Sequence, residues 1–160
     1  MPIFKTVEAV ELLNNSLRSV AADHPFRMLG YVVMPDHLHC IWELPDDDHD
    51  YSGRWSLVKA RFTRAYAKQF EIAPSTPSRS RRRERSVWQR RFWEHYIKDD
   101  KELNQCLDYV HLNPVYHGFV EHPIDWKHSS FGDYVRDGIY PSSWGDAELA
   151  RTTGSKVVDL

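Results

Sequence analysis

Two histidines flank a single leucine within the stretch from Met34 to Trp42, at the start of an apolar run. Because side chains alternate between the two faces of a β-strand, His37 and His39 would project from one face and Leu38 from the other. Two imidazoles fixed on a strand can hold Mg²⁺, Mn²⁺ or Zn²⁺ once an oxygen ligand reaches them from another element. The pattern therefore predicts half of a metal site and requires a fold that supplies the other half.

The composition indicates a single globular domain. The chain has 160 residues, of which 41% are hydrophobic and 13% aromatic, enough for a sizeable core. Its two cysteines, Cys40 and Cys106, are too few for a disulfide framework and suit a reducing compartment. No signal-like segment opens the chain, and no apolar run is long enough to cross a membrane. We therefore expect a cytoplasmic protein in which residues 1–120 form the domain and residues 121–160 form a tail packed on it.

Hydrophobic periodicity and turn residues predict the order of helices and strands. Thr6 can cap the first helix, and Met34, Pro35 and Asp36 form the turn of a β-hairpin whose second strand carries the two histidines. Asn113 precedes a proline, which disfavours helical backbone and is expected to end the last long helix. The predicted elements are a helix over 7–22, strands over 26–33 and 37–44, a helix over 54–70, a strand over 91–98 and a helix over 101–112.

The last predicted helix brings two oxygen-bearing side chains together. Tyr109 and Asn113 are four residues apart and are therefore neighbours on one helix face, where they offer a phenol oxygen and an amide oxygen. If that face covers the strand of His37 and His39, a divalent cation gains an oxygen ligand and has a tyrosine beside it. A divalent cation with a tyrosine beside it can catalyse phosphoryl transfer, in which Tyr109 attacks phosphorus and expels a 3′-hydroxyl. Because the pKa of a free phenol is near ~10, its proton must be removed with help from the cation or a base.

Positive charge is concentrated in one part of a chain whose net charge is −2. Seven arginines and one glutamate lie between residues 74 and 91, where Pro74, Pro77 and several serines predict an irregular loop. The preceding helix adds Arg61 and Arg64 on one face. An arginine run can be no more than a solvated loop, but this density favours contacts with phosphate groups.

Three sequence blocks stand out: VVMPDHLH at 32–39, WQRRFWEH at 88–95 and DYVHLNPV at 108–115. They resemble signature motifs of the REP-associated tyrosine transposases, which are single-tyrosine members of the His-hydrophobic-His (HUH) nuclease superfamily, and the segment from Trp126 to Trp144 is also similar to theirs. The likeness covers nearly the whole chain in order. It implies an α+β fold of ferredoxin-like or RRM-like type, in which helices pack on an antiparallel sheet and an irregular tail follows.

The resemblance also implies the chemistry of the site. It makes Tyr109 the nucleophile and His37, His39 and Asn113 the ligands of a divalent metal, Mg²⁺ or Mn²⁺. The implied function is that of a transposase, a monomer or homodimer, which cleaves and rejoins single-stranded DNA at a REP-like palindromic hairpin through a 5′-phosphotyrosine intermediate. The predicted DNA contacts are Arg61, Arg64, Arg79, Arg81, Arg82, Arg83, Arg90 and Arg91.

One departure from the family pattern leaves alternatives open. Members of this family have a strand before the first helix, and this chain starts near the point where that strand would end. In such a sheet the absent strand pairs with the histidine-bearing strand, so we expect an open sheet edge. Either the start codon is assigned too late, or the chain is a truncated copy. The alternatives to an active transposase are a truncated, inactive remnant that only binds DNA hairpins, and a small metallohydrolase that acts on a diffusible phosphate ester.

The site residues also have ordinary structural interpretations. Tyr109 is compatible with a half-buried helix tyrosine, and Asn113 with a common helix end. Asp36 is expected to fix the hairpin turn rather than to act as an acid. His111 is expected at the surface, because it points away from Tyr109 by about two helical steps.

Overall fold

The computed structural model describes residues 2–72, 87–88 and 93–146. The chain forms two compact units, one of Met1–Arg27 with Glu43–Phe92 and one of Met28–Trp42 with Trp93–Leu160, which we call the helical unit and the hairpin unit. No helix in the described ranges is long and apolar enough to cross a bilayer. The elements are α1 (Val7–Asp23), β1 (Arg27–Val33), β2 (Leu38–Glu43), α2 (Tyr51–Gln69), α3 (Asp100–Tyr116), a 3-10 turn (Pro123–Asp125) and α4 (Phe131–Arg136).

The helical unit is built on the packing of α1 with α2. The predicted N-cap is present, since the Thr6 side chain accepts a hydrogen bond from the Ala9 N–H at 3.2 Å. Phe62 of α2 also contacts the rings of Phe4 and Trp88, at centroid distances of 5.5 and 5.2 Å. The buried apolar residues at helical spacing are Val10, Leu13, Val20, Val58 and Phe62.

The start of α2 lies earlier than predicted. The helix begins at Tyr51, because the Asp50 carboxylate caps it by accepting a hydrogen bond from the Gly53 N–H at 2.8 Å. The acidic loop before α2 therefore contains the residue that caps this helix.

A buried arginine ties α2 to the segment that precedes β1. Arg54 is only 4% exposed. Its guanidinium donates to the two carboxylate oxygens of Asp48 at 3.0 and 2.6 Å, and to the carbonyl oxygens of His24 and Pro25 at 3.2 and 3.0 Å. The hydrogen bonds from Arg54 are the main reason that the pKa of Asp48 is lowered to about 2.

The hairpin unit is organised around the antiparallel pair β1–β2. The predicted turn is present, with the Met34 N–H donating to the His37 carbonyl at 2.8 Å. Gly30 of β1 lets α3 come close, because a Cβ at this position would lie 2.5 Å from Cδ2 of Leu107. The core of the unit is formed by Val32, Met34, Ile41, Leu107 and Val110.

The chain after α3 covers the outer edge of β1. The Val33 N–H donates to the His128 carbonyl at 2.8 Å, and the Ser130 N–H donates to the Tyr31 carbonyl at 3.0 Å. Within the described ranges the sheet has the order β1–β2 and no third strand, so the other edge of β2 has no strand beside it.

The expectation that His111 lies at the surface is wrong. His111 is fully buried, and its Nε2 lies 2.8 Å from the Ser130 hydroxyl. It follows Leu107 by one helical turn and therefore shares the face of α3 that the core uses. Burial lowers the pKa of His111 to about 4, so the ring is neutral near pH 7.

α3 runs past its predicted end at residue 112 and continues through Pro114 to Tyr116. The helix is sustained because the His117 N–H donates to the Asn113 carbonyl at 3.0 Å and because Pro114 is buried. The residue before a proline disfavours helical backbone only as a local preference, and packing overrides that preference here. The extension carries the helix face of Tyr109 and Asn113 on to His117.

The predicted strand over 91–98 is wrong for residues 93–98, which are not part of a strand. Trp93 and Tyr96 are 56% and 82% exposed. The alternation of this segment fits a strand, but a strand needs a neighbour to pair with its backbone groups. No strand of the described part of the chain pairs with residues 93–98.

We predict that Arg54→Lys lowers the free energy of unfolding by about 2 kcal/mol, because an ammonium group cannot reproduce the set of bonds that the guanidinium makes. Urea denaturation followed by tryptophan fluorescence measures the change. Arg64→Lys, at an exposed position of the same helix, is the matched control and should change the stability by less than about 0.5 kcal/mol. Equal stability of the two variants would contradict the role given to Arg54.

Candidate active site

β2 and the residue before it present the predicted histidine pair. The rings of His37 and His39 lie 5.0 Å apart, edge to face at 81°. Nδ1 of His37 lies 2.7 Å from Oδ1 of Asp36, which leaves Nε2 of His37 for another partner. This hydrogen bond also lowers the pKa of the Asp36 carboxyl. Asp36, which the sequence assigns to the turn, therefore orients the first imidazole as well.

His39 is held in its neutral form. Its pKa is lowered to about 4, mainly by burial and further by the charges of His37 and His117. Near neutral pH the ring therefore keeps a nitrogen lone pair that can bind a cation. Nε2 of His39 is buried and has no hydrogen-bond partner among the described residues. A buried polar atom in this position costs about 1–3 kcal/mol until a partner is supplied.

α3 brings the predicted tyrosine to this pair. The ring of Tyr109 lies 5.4 Å from the ring of His39, at 77°, and the tyrosine is half-buried. Asn113 follows one turn later on the same face and is 1% exposed. Its Oδ1 is buried and has no hydrogen-bond partner in the described part of the chain.

The donor set of this site suits a divalent cation. It combines imidazole nitrogens with an amide oxygen, and two of these atoms, Nε2 of His39 and Oδ1 of Asn113, are buried and have no hydrogen-bond partner among the described residues. In the described ranges no group of three or more His, Cys, Asp or Glu side chains is placed to hold a metal. Asn113, on the same helix face as Tyr109, is the residue that could add an amide oxygen to the two imidazoles.

A third imidazole borders the site and was missed by the sequence analysis. The ring of His117 lies 5.4 Å from that of His37, and the side chain is exposed. The signal for it is spacing, since His117 follows Asn113 by four residues and Tyr109 by eight on one helix face. Ending the predicted helix at residue 112 concealed that relation.

Two of the arginines predicted to contact DNA, Arg61 and Arg64, lie on α2 of the helical unit. Arg61 donates to Oδ2 of Asp23 at 2.7 Å and to the Ser19 hydroxyl, so its guanidinium is held against α1. Arg64 is exposed on α2. The others lie outside the described residues: Arg79, Arg81, Arg82, Arg83, Arg90 and Arg91.

Two curated relatives and one solved structure are similar to the chain over most of its length. A protein of Haemophilus influenzae named as a REP-associated tyrosine transposase is 41% identical over 131 residues, which cover 82% of this chain and 73% of the relative. The REP-associated tyrosine transposase of Escherichia coli K12 is 34% identical over 148 residues, which cover 92% and 80%. A solved REP-associated tyrosine transposase bound to a REP hairpin matches with a TM-score of 0.74 and 37% identity, over 88% of this chain and 76% of that chain. No profile of a protein family matches.

The structural similarity confirms the predicted fold class. A TM-score of 0.74 at 37% identity means that the two chains share one architecture. The α+β interpretation, with helices packed on an antiparallel sheet as in the HUH nucleases, is therefore correct. The family resemblance drawn from the three sequence blocks is confirmed as well.

We predict that the protein loses stability as the pH falls from about 6.5 to about 4, in part because of His39. Its pKa is about 4 in the folded chain against an ordinary value of 6.5. In this window the unfolded chain binds more protons than the folded chain, so the free energy of unfolding rises with pH. His39→Gln should make that rise shallower in urea denaturation at a series of pH values. The same slope in the variant and the parent would contradict a buried, neutral His39.

Proposed function

Because the chain belongs to the REP-associated tyrosine transposases, we propose that it cleaves and rejoins single-stranded DNA next to a REP-type palindromic hairpin, with Tyr109 as the nucleophile. The observation that supports this most is the position of Tyr109, whose ring lies 5.4 Å from that of His39. The DNA class is supported by the similar solved protein, which is bound to a REP hairpin.

His37, His39 and Asn113 would hold Mg²⁺ or Mn²⁺. The support is that Nε2 of His39 and Oδ1 of Asn113 are buried without partners among the described residues, and that Asp36 leaves Nε2 of His37 available. A divalent cation bound there supplies Lewis-acid chemistry, by drawing charge from a phosphate oxygen. Asp36 keeps the His37 ring in one orientation and one tautomer, which is the usual role of a carboxylate behind a histidine ligand.

Tyr109 supplies the covalent chemistry. In cleavage its phenol oxygen forms a bond to phosphorus while the bond from phosphorus to the 3′-oxygen breaks. The proton lost by the phenol balances the proton gained by the departing 3′-oxygen, which leaves as a 3′-hydroxyl, and the 5′ end remains attached to Tyr109 as a phosphotyrosine. Rejoining is the reverse, with a 3′-hydroxyl attacking phosphorus and the phenol leaving. The bond energy is conserved, so no nucleoside triphosphate is consumed.

The arginines of the helical unit would bind the DNA backbone. Arg64 is exposed and can do so directly, whereas Arg61 would have to exchange Asp23 for a phosphate, which reduces its contribution. The arginine-rich segment between residues 74 and 91 would add the largest share. We place this activity in the cytoplasm, because the free thiols of Cys40 and Cys106 suit a reducing compartment. The proposed active species is a monomer or a homodimer.

We predict that a labelled REP-hairpin oligonucleotide with single-stranded flanks becomes covalently attached to the protein in the presence of Mn²⁺, and that Tyr109→Phe abolishes the adduct. Phenylalanine keeps the ring and removes the attacking oxygen. Denaturing gel electrophoresis detects the adduct. Tyr116→Phe changes another tyrosine of the same helix, 41% exposed, and is the matched control that should keep the adduct.

The outcomes of this experiment separate the candidate functions. An adduct that persists in Tyr109→Phe would overturn the choice of nucleophile. Hairpin binding by the parent protein without any adduct would identify a binding protein that does not cleave. Turnover of a simple phosphate ester without an adduct would identify a metallohydrolase.

We also predict that Asn113→Ala weakens Mn²⁺ binding by more than about tenfold, since it removes the amide oxygen that completes the ligand set. Electron paramagnetic resonance of free Mn²⁺ during a titration measures the affinity without any DNA. Asn104→Ala changes an exposed asparagine of the same helix and serves as the control. If both variants bind Mn²⁺ as the parent does, Asn113 is not a ligand.

A further inference from the structure

Three side chains form a continuous ledge beside the histidine pair, which we call the aromatic shelf: His117, Phe119 and Trp126. The ring of His117 lies 5.4 Å from that of His37 and 6.4 Å from that of Phe119. The ring of Phe119 in turn lies 5.4 Å from that of Trp126. Phe119 is 50% exposed, so part of its ring is open to solvent.

The backbone fixes the aromatic shelf in place. Gly118 has a φ of 70°, and the Phe119 N–H donates to the Pro114 carbonyl at 2.9 Å, which closes the end of α3 in a tight turn. Trp126 is anchored beside Phe119, since its Nε1–H donates to the Val33 carbonyl at 3.1 Å. Phe119 is therefore positioned before any ligand arrives, which lowers the entropy cost of binding.

The surroundings of the aromatic shelf favour a flat aromatic ligand over a bare phosphate. Lys127 is exposed next to Trp126, but Glu121 and Asp125 are exposed on the same loop and offset its charge. An aromatic face accepts any nucleobase, because every base has a π-face to stack on it. Bases offer that face freely only where they are unpaired, so the fitting ligand is a nucleotide of single-stranded DNA.

We propose that the aromatic shelf stacks one unpaired base, that of the nucleotide next to the phosphodiester placed at His37, His39 and Tyr109. This inference rests on the proposed function of that site. The neighbouring rings of His37, His117 and Phe119 connect the histidine pair to the aromatic shelf. A stacked base restrains the backbone at the adjacent phosphate, and the attack of a phenol on phosphorus depends on such orientation. The aromatic shelf therefore adds affinity and register without reading a particular base.

The test measures binding of a fluorescent REP-hairpin oligonucleotide with single-stranded flanks by anisotropy. It uses the full chain carrying Tyr109→Phe, so that no adduct forms, with Mn²⁺ present. In this background Phe119→Ala should weaken binding about tenfold, while Phe119→Trp retains it, since a larger ring stacks equally well. Ile139→Ala removes another exposed apolar side chain of the hairpin unit, 58% exposed, and should leave binding unchanged. Thermal melting verifies that each variant is folded.

A second set of binding measurements identifies which unpaired base stacks on the aromatic shelf. A series of oligonucleotides carries a single abasic position at each unpaired nucleotide in turn. At one position the missing base should weaken binding about tenfold when Phe119 is present and have no further effect in Phe119→Ala. Raising the salt concentration should weaken the Phe119→Ala variant and its parent along the same slope, because the aromatic shelf releases no counterions.

Each outcome decides the proposal. The stacking proposal is overturned if Phe119→Ala and its parent bind with equal affinity, or if each abasic position weakens both proteins equally. The proposed role of Tyr109 would still stand in that case, provided that the otherwise unaltered protein forms its DNA adduct. Failure of the parent to bind any hairpin oligonucleotide would overturn the proposed function and the aromatic shelf together. A weaker Phe119→Ala whose defect disappears at one abasic position would establish the stacking contact.

Discussion

The packing of α3 across the β-hairpin is the contact on which the candidate site depends. Leu107 and Val110 enter one core with Val32 and Ile41, and Gly30 leaves room for the helix. Each half of the site is incomplete by itself, because the hairpin carries imidazoles and the helix carries a phenol and an amide. The apolar contacts between them therefore decide whether an ordinary tyrosine meets a pair of histidines, and they do so without taking part in any chemistry.

Burial by itself does not distinguish a candidate site histidine from a core histidine in this chain. His39 and His111 both have a pKa lowered to about 4, mainly by burial, and both are neutral at pH 7. His111 is bonded to Ser130 beside the rings of the tail and acts as a core residue. His39 instead meets His37 and Tyr109. The difference lies in what surrounds each ring, which is a property of the tertiary structure.

Short-range patterns predicted much of the site, and tertiary contacts determined the rest. Strand alternation placed His37 beside His39, and these rings are in contact. Helical spacing placed Tyr109 near Asn113, but the backbone bias of the residue before a proline ended the predicted helix at residue 112, so His117 was missed. The expected strand over 91–98 failed for residues 93–98, because strand formation requires a partner that local sequence does not reveal. His111 was misplaced because pointing away from Tyr109 was taken to mean pointing to solvent, whereas its register with Leu107 puts it on the core face of α3.

The central claim is that one phenol oxygen becomes bonded to DNA phosphorus. The measurement that addresses it most directly is peptide mass spectrometry of the protein–DNA adduct after complete nuclease digestion. The account predicts a residual nucleotide mass on the peptide that contains Tyr109, with fragmentation that assigns it to that side chain. A nucleotide located on any other residue, or an unmodified Tyr109 in protein that has demonstrably cleaved its hairpin, would contradict it.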